Sequence, residues 1–187
     1  MLKSDKWIKE HSQLGGLIDP AVNSIKCKGV LSYGVSSYGY DVRLGNTFKM
    51  FNCSKTNNAI VDPKNVVDGV FRTVKSDTAL LIPPRGTVLG HSIETVHIPK
   101  NVTGLVFPKS TYVRCGLEVS QTVLEAGWKG QITLCLTNRT DFPLKVYVGE
   151  GIAQVLFVEG AEECETSYAD RDGKYQGEKG ISLARIK

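Results

Sequence analysis

The stretch Gly130-Gln-Ile-Thr-Leu-Cys-Leu-Thr-Asn138 alternates with a period of two: Ile132, Leu134 and Leu136 fall on one side, and Gln131, Thr133, Cys135 and Thr137 on the other. That pattern predicts a β-strand with its aliphatic face turned to a core. Cys135 then points away from the core, among polar neighbours. The plain reading is a small residue on an ordinary sheet face.

Most of the chain has the same character. Strands are predicted at 38–44, 47–51, 78–82, 86–93, 102–107, 117–123, 144–148 and 152–158, separated by Gly, Pro, Asn and Asp. Short strands punctuated this often suggest an all-β sandwich or barrel rather than alternating β and α units. Residues 4–14 read as a helix, with Ser4 as its cap and Trp7, Ile8 and Leu14 as a rough apolar stripe. A second short helix is predicted at 109–115, with Gly116 placed to end it. From Glu162 to Lys187 the chain is charged and Gly-rich without an apolar period. That predicts a mobile tail, either idle or a lid.

The 187 residues fit one domain with a sizeable core. With 23 Lys+Arg against 19 Asp+Glu, the net charge is +4. This suits a small polyanion but lacks the basic runs of a nucleic-acid footprint. No apolar run is long enough for a membrane span, and the N-terminus lacks the apolar core of a signal peptide. The expectation is a cytosolic protein, or one of the host cytosol if virus-encoded. The five cysteines, Cys27, Cys53, Cys115, Cys135 and Cys164, are odd in number and form no C-x-x-C pair. A disulfide framework or a zinc site is therefore not expected. His11, His91 and His97 do not supply the H-x-E…P-C-x-x-C pattern of zinc-dependent base deaminases.

Three stretches carry candidate chemistry. In Lys109-Ser-Thr-Tyr-Val-Arg-Cys-Gly116, Ser110 and Thr111 open the second helix and Arg114 follows four residues after Ser110 on the same face. Hydroxyls, free amides and a guanidinium converging in this way suit a phosphate; an N-cap followed by a surface Arg is the simpler alternative. In Ser36-Ser-Tyr-Gly-Tyr-Asp41, Gly39 beside Asp41 suits close backbone approach at a strand edge, or an ordinary hairpin. Thr122-Val-Leu-Glu-Ala-Gly-Trp-Lys-Gly130 is a hairpin with a carboxylate, Glu125, just before the Ala-Gly corner.

In order and spacing, SSYGYD, KSTYVRCG and LEAGWKGQITL resemble the dCTP deaminase branch of the trimeric dUTPase superfamily. Ser4-Asp-Lys-Trp-Ile8, the VDPKN stretch ending at Asn65, Ile82-Pro-Pro84 and Ser167-Tyr-Ala-Asp-Arg-Asp-Gly-Lys-Tyr-Gln-Gly177 extend the resemblance over nearly the whole chain. It implies a mostly β, distorted barrel or jelly-roll of the dUTPase-like type, assembled as a homotrimer with active sites between subunits. It implies that residues 162–187 form a C-terminal lid on one dUTPase-like domain. Lys109, Ser110, Thr111 and Arg114 would contact the triphosphate or support that contact. Gln121, Thr122 and Val123 would lie beside the base, and Tyr168, Lys174 and Tyr175 would close over the triphosphate together with position 178. Asp41 would be supporting. Magnesium would ride on the phosphates rather than in a protein cage, with no zinc.

The chain departs from the family where the strand reads Thr133-Leu-Cys-Leu136. Relatives carry a glutamate at the third position, TLEF. That residue is the general base that activates water for attack on cytosine C4, a step no metal assists. Cys135 stands in its place. A neutral thiol is a poor proton shuttle, and a thiolate favours nucleophilic attack. In the tail, relatives read KYxGQxG and this chain reads Lys174-Tyr-Gln-Gly-Glu-Lys-Gly180, so Glu178 replaces a donor with a carboxylate that repels phosphate. Glu118 replaces a usually apolar residue. It is a candidate substitute carboxylate, set against a solvated surface residue.

Three readings follow. One is a metal-independent dCTP deaminase making dUTP and ammonia. Another is a dUTPase-type diphosphatase using Glu125 to orient water. The third is a deoxynucleotide-binding protein without turnover, or with an altered substrate, dUTP and dTTP being further candidates.

Overall fold

The computed structural model describes residues 1–52, 60–66 and 69–186. Cys53 lies outside them. The first helix, α1 (Asp5–Gly15), is followed by β1 (Ile18–Asp19), β2 (Gly34–Ser36), β3 (Gly39–Arg43), β4 (Thr47–Phe51) and β5 (Phe71–Lys75). Then come β6 (Ala79–Ile82), β7 (Thr87–His97), β8 (Val102–Pro108) and the one-turn helix α2 (Ser110–Val113). The chain continues through β9 (Leu117–Val119), β10 (Thr122–Leu124), β11 (Lys129–Asn138), β12 (Leu144–Tyr147) and β13 (Gly151–Glu159). One sheet runs β5-β4-β7-β11-β9 with β1 added on β7; a second runs β10-β8-β13-β3-β2; β12 and β6 form a ribbon. The fold is mostly β, as the punctuation of the sequence predicts. No helix among the described residues is long and apolar enough to cross a membrane.

Alternation decides which face is buried. In β11 Ile132, Leu134 and Leu136 are buried, while Gln131, Thr133, Cys135 and Thr137 are half-buried on the opposite face. Each buried leucine contributes about 1.5–3 kcal/mol of transfer free energy. The same parity in β7 buries Val88, Ser92, Glu94 and Val96.

Four local expectations change. The strand expected at 117–123 is two strands in different sheets, because Leu117 and Val119 have odd parity and Leu124 even. One continuous strand would turn one of these sets out to solvent. The chain therefore leaves β11 after the Ser120 N–H donates to Cys135 O at 2.9 Å and pairs next with β8. The second helix spans 110–113 rather than 109–115 and ends before Gly116, whose φ of +82° suits glycine. Ser4 occupies the cap position of α1, but its hydroxyl makes no capping bond. Leu14 is 83% exposed, because the left-handed turn at Gly16 brings Leu17 and Ile18 into the core in its place.

Where β11 meets β7 the ladder slips. Gln131 faces Thr95, yet Thr133 faces His91, so β7 carries two extra residues. The freed Ile132 N–H donates to Ser92 Oγ at 2.8 Å, and Ser92 Oγ donates to Glu94 O at 2.7 Å. The Glu94 carboxylate, fully buried, accepts from Arg43 Nε at 2.6 Å and Arg43 N at 2.9 Å. Arg43 belongs to β3 in the other sheet, so this pair ties the two sheets at the slip. Removing one partner of a buried ion pair strands the other. Glu94→Ala is expected to destabilise the protein by about 3–5 kcal/mol in denaturant unfolding at fixed protein concentration.

Candidate active site

The turn between β10 and β11 is not the expected hairpin, since β10 pairs with β8 and β11 with β7 and β9, so the chain crosses here from one sheet to the other. This corner, with the tail laid over it, borders a pocket of about 260 Å³. β10 is the edge of its sheet, with Thr122 and Val123 exposed and Leu124 buried against Gly104 of β8. The corner turns because Trp128 N–H donates to Glu125 O at 3.0 Å and Gly127 takes a φ of +79°. A β-carbon at Gly127 would lie 2.8 Å from the Ser167 side chain, and one at Gly130 would lie 3.1 Å from Glu178 O. Both glycines thus let the tail come close to this corner.

The tail has no regular element, as its composition predicts, yet it is fastened residue by residue. Tyr168 N–H donates to Ala126 O at 2.8 Å, and Tyr175 N–H donates to Tyr168 Oη at 2.9 Å. Trp128 Nε1 donates to Tyr175 O at 3.0 Å. Further on, the tail runs beside β11. Gln131 N–H donates to Glu178 O at 2.9 Å, Gly180 N–H to Gln131 Oε1 at 2.6 Å, and Ser182 N–H to Thr133 Oγ1 at 2.9 Å. Gln131 Nε2 donates to Ile93 O at 2.9 Å, which fixes the orientation of that amide.

Thr122, Val123, Glu125, Tyr168, Tyr175 and Glu178, all expected at the site, line this pocket together. Both carboxylates are ion-paired to tail arginines, Glu125 with Arg171 and Glu178 with Arg185. Lys174 lies beside this cluster, its Nζ 5.0 Å from the centre of the Tyr175 ring. Gln121 is exposed between β9 and β10. Cys135 follows Gln131 and Thr133 in the same side-chain row of β11, opposite Leu89, but does not itself line this pocket.

The other expected residues sit elsewhere. Glu118 lies opposite Thr137 on the outer strand β9, ion-paired to Arg139, and does not line the pocket. Lys109 is buried, and its Nζ donates to Asp41 Oδ2 at 2.7 Å. That pair ties β3 to the start of α2 and gives Asp41 a supporting role. Tyr112 anchors α2 from below by accepting the Tyr147 N–H at 2.9 Å; burial pushes its phenol up to about 12. Ser110, Thr111 and Arg114 consequently face solvent, away from the pocket of their own chain. One helical turn supplies little dipole, so any hold on an anion there rests on these side chains. Among the described residues no three of His, Cys, Asp and Glu gather as a metal would need.

Trp128, Gln131, Thr133 and Ser182 line the pocket without having been singled out from the sequence. Gln131 and Thr133 share the parity of Cys135, which was a usable signal. Ser182 has no such mark.

Comparison with known proteins follows the same lines. The family model described as dCTP deaminase-like matches residues 3–160. A dCTP deaminase of Pseudomonas fluorescens strain Pf0-1 is 50% identical over 189 residues, covering 98% of each chain. Another, from Herpetosiphon aurantiacus, is 48% identical over 185 residues and 99% of each chain. Among solved structures, the 2'-deoxycytidine 5'-triphosphate deaminase from Agrobacterium tumefaciens has a TM-score of 0.63 at 19% identity. That likeness is one of fold; it covers 84% of this chain and 47% of that one, so this chain spans about half its length.

The tail is also held by a carboxylate. Asp170 accepts from Ser167 N–H, the Ser167 hydroxyl and Lys100 Nζ, and these bonds pull its carboxyl from 3.8 down to about 2. A depressed carboxylate stabilises the folded arrangement above its unfolded value and loses that effect as pH falls through the folded one. The fastening at 167–170 is therefore expected to be intact above about pH 4 and to weaken between pH 4 and 2. Trp128 fluorescence in a Trp7→Phe background should report this loss, and Asp170→Asn should remove the transition.

Proposed function

The chain belongs to the dCTP deaminase-like family, and we propose that it binds dCTP and hydrolyses the cytosine amino group to give dUTP and ammonia. The observation that carries this reading is near-full-length identity of about half to dCTP deaminases. The pocket supports it chemically. Edge-strand groups of Thr122 and Val123 offer polar contacts to a base edge, and Leu124, Trp128 and Ile132 supply apolar walls. Tyr168 and Tyr175 exclude water once the tail is down. Magnesium comes with the triphosphate and neutralises part of its charge. The protein works as one dUTPase-like domain, with residues 162–187 as its lid, in the cytoplasm.

A homotrimer completes the site. Ser110, Thr111 and Arg114 are exposed in their own subunit, and we assign them to the phosphates of a nucleotide held mainly by a neighbouring copy. Lys109 supports that segment through Asp41.

The deamination step needs a group that takes a proton from water as it attacks C4 and returns one to the departing ammonia. Glu118 is engaged by Arg139 outside the pocket, and Glu125 by Arg171. The second engagement also weighs against a diphosphatase, which needs that corner carboxylate for water. Cys135 is left in the row where the family carries its glutamate. A second reading, binding without turnover or with a modified substrate, is favoured by that one substitution. Separation of products from each common deoxynucleoside triphosphate decides among them: dUTP with ammonia, a monophosphate with pyrophosphate, or no product despite binding.

Three measurements test this assignment. Cys135→Glu should raise cytosine deamination at least tenfold, equivalent to about 1.4 kcal/mol of transition-state stabilisation, in an ammonia-release assay. A variant that folds, binds dCTP and releases no more ammonia than the wild type would count against the assignment. Arg114→Ala should leave thermal stability nearly unchanged and weaken dCTP binding by about 1.5–3 kcal/mol in calorimetry. Light scattering should give three chains per particle; a monomer that binds nucleotide would contradict the shared site.

A further inference from the structure

We infer that the Ser182 hydroxyl hydrogen-bonds the nucleoside half of the bound deoxynucleotide, so that the tail contributes a specificity-determining contact as well as a cover. This inference rests on the proposed binding of dCTP.

Ser182 Oγ is buried and has no hydrogen-bonding partner among the described residues. The same residue lines the pocket that holds Thr122 and Val123. Buried hydroxyls in folded proteins nearly always find a partner, in the protein, in water or in a ligand. Here the backbone on both sides is already committed: Ser182 N–H to Thr133 Oγ1 at 2.9 Å, and Gly180 N–H to Gln131 Oε1 at 2.6 Å. Those two bonds fix where the hydroxyl sits without using it. It stands beside Thr133, one step along the side-chain row from Cys135.

The surroundings select the nucleoside over the phosphates. Leu124, Trp128, Ile132 and Tyr175 present apolar and aromatic surface, which suits a base and a sugar rather than a phosphate. A serine hydroxyl donates or accepts, so it can meet a carbonyl oxygen, an amino group or a sugar hydroxyl.

The test measures affinity for dCTP and for inorganic triphosphate in the wild type, Ser182→Ala and Ser182→Thr. Hydrogen exchange at the Tyr168 and Gly177 amides, which bond Ala126 O and Lys129 O, reports docking of the tail. Ser182→Ala is expected to bind dCTP about three- to tenfold more weakly. Its affinity for triphosphate and its amide protection should be unchanged, and Ser182→Thr should stay within about twofold of the wild type. The inference is overturned if Ser182→Ala binds dCTP as tightly as the wild type, or weakens dCTP and triphosphate alike. It is equally overturned if the tail amides lose protection in the nucleotide-free Ala variant, since the hydroxyl would then be structural. A wild type that binds no dCTP overturns the proposed function itself, and this contact with it, which is a different result from any of these.

Discussion

The buried Arg43–Glu94 pair sets the geometry on which the rest depends. A carboxylate with no solvent exposure is tolerable only when its partner is close and its remaining lone pairs are used. Glu94 meets both demands from a single residue, through the side chain and the backbone of Arg43. Because Arg43 lies in one sheet and Glu94 in the other, satisfying the charge also sets their separation. The slip in β7 brings Glu94 there, and the Ser92 hydroxyl takes up the backbone N–H that the slip releases. The pocket floor, Gln131 to Thr133, lies opposite this slip. Core electrostatics and site geometry are thus one arrangement.

The tail adds a second layer of constraint, mostly of charge. Two carboxylates line a pocket that is proposed to receive a triphosphate ester. Left bare, they would oppose it. Each is met by an arginine of the tail, Arg171 for Glu125 and Arg185 for Glu178. These are half-exposed pairs, so their separate contributions to stability are small. Their effect is on the local potential, which they bring closer to neutral. The glutamate at position 178 is therefore accommodated inside the tail itself, by a residue seven positions later.

Much of this was legible in the sequence where a single period governs. The alternation through 130–138 placed Cys135 outside the core, and the order of motifs pointed to the family. The strand at 117–123 was not legible, because its first half obeys one sheet and its second half another. Only the parity break between Val119 and Leu124 marks the change. Leu14 failed as a core residue because a left-handed glycine just past the helix redirects the chain, which no periodicity records. The outward stance of Ser110 and Arg114 depends on Tyr112 being drawn inward, a tertiary fact. Glu118 looked like a replacement carboxylate on strand parity alone; Arg139 and the end of β9 put it outside the pocket. Ser182 carried no signal, since a serine in a polar tail is indistinguishable from its neighbours until the chain is laid along β11.

The manner in which the tail follows β11 has a consequence for how this segment can vary. Glu178, Gly180 and Ser182 meet Gln131 and Thr133 in steps of two, and two of the three bonds use side-chain acceptors on the strand rather than its backbone. The docking is read by position along the tail more than by residue type. Substitutions at 179 or 181 leave the count intact. Loss or gain of one residue between 178 and 182 would carry every later amide past its acceptor and turn residue 182 to the opposite side. The segment is consequently permissive in composition and strict in length, and its descendants should diverge by replacement rather than by insertion.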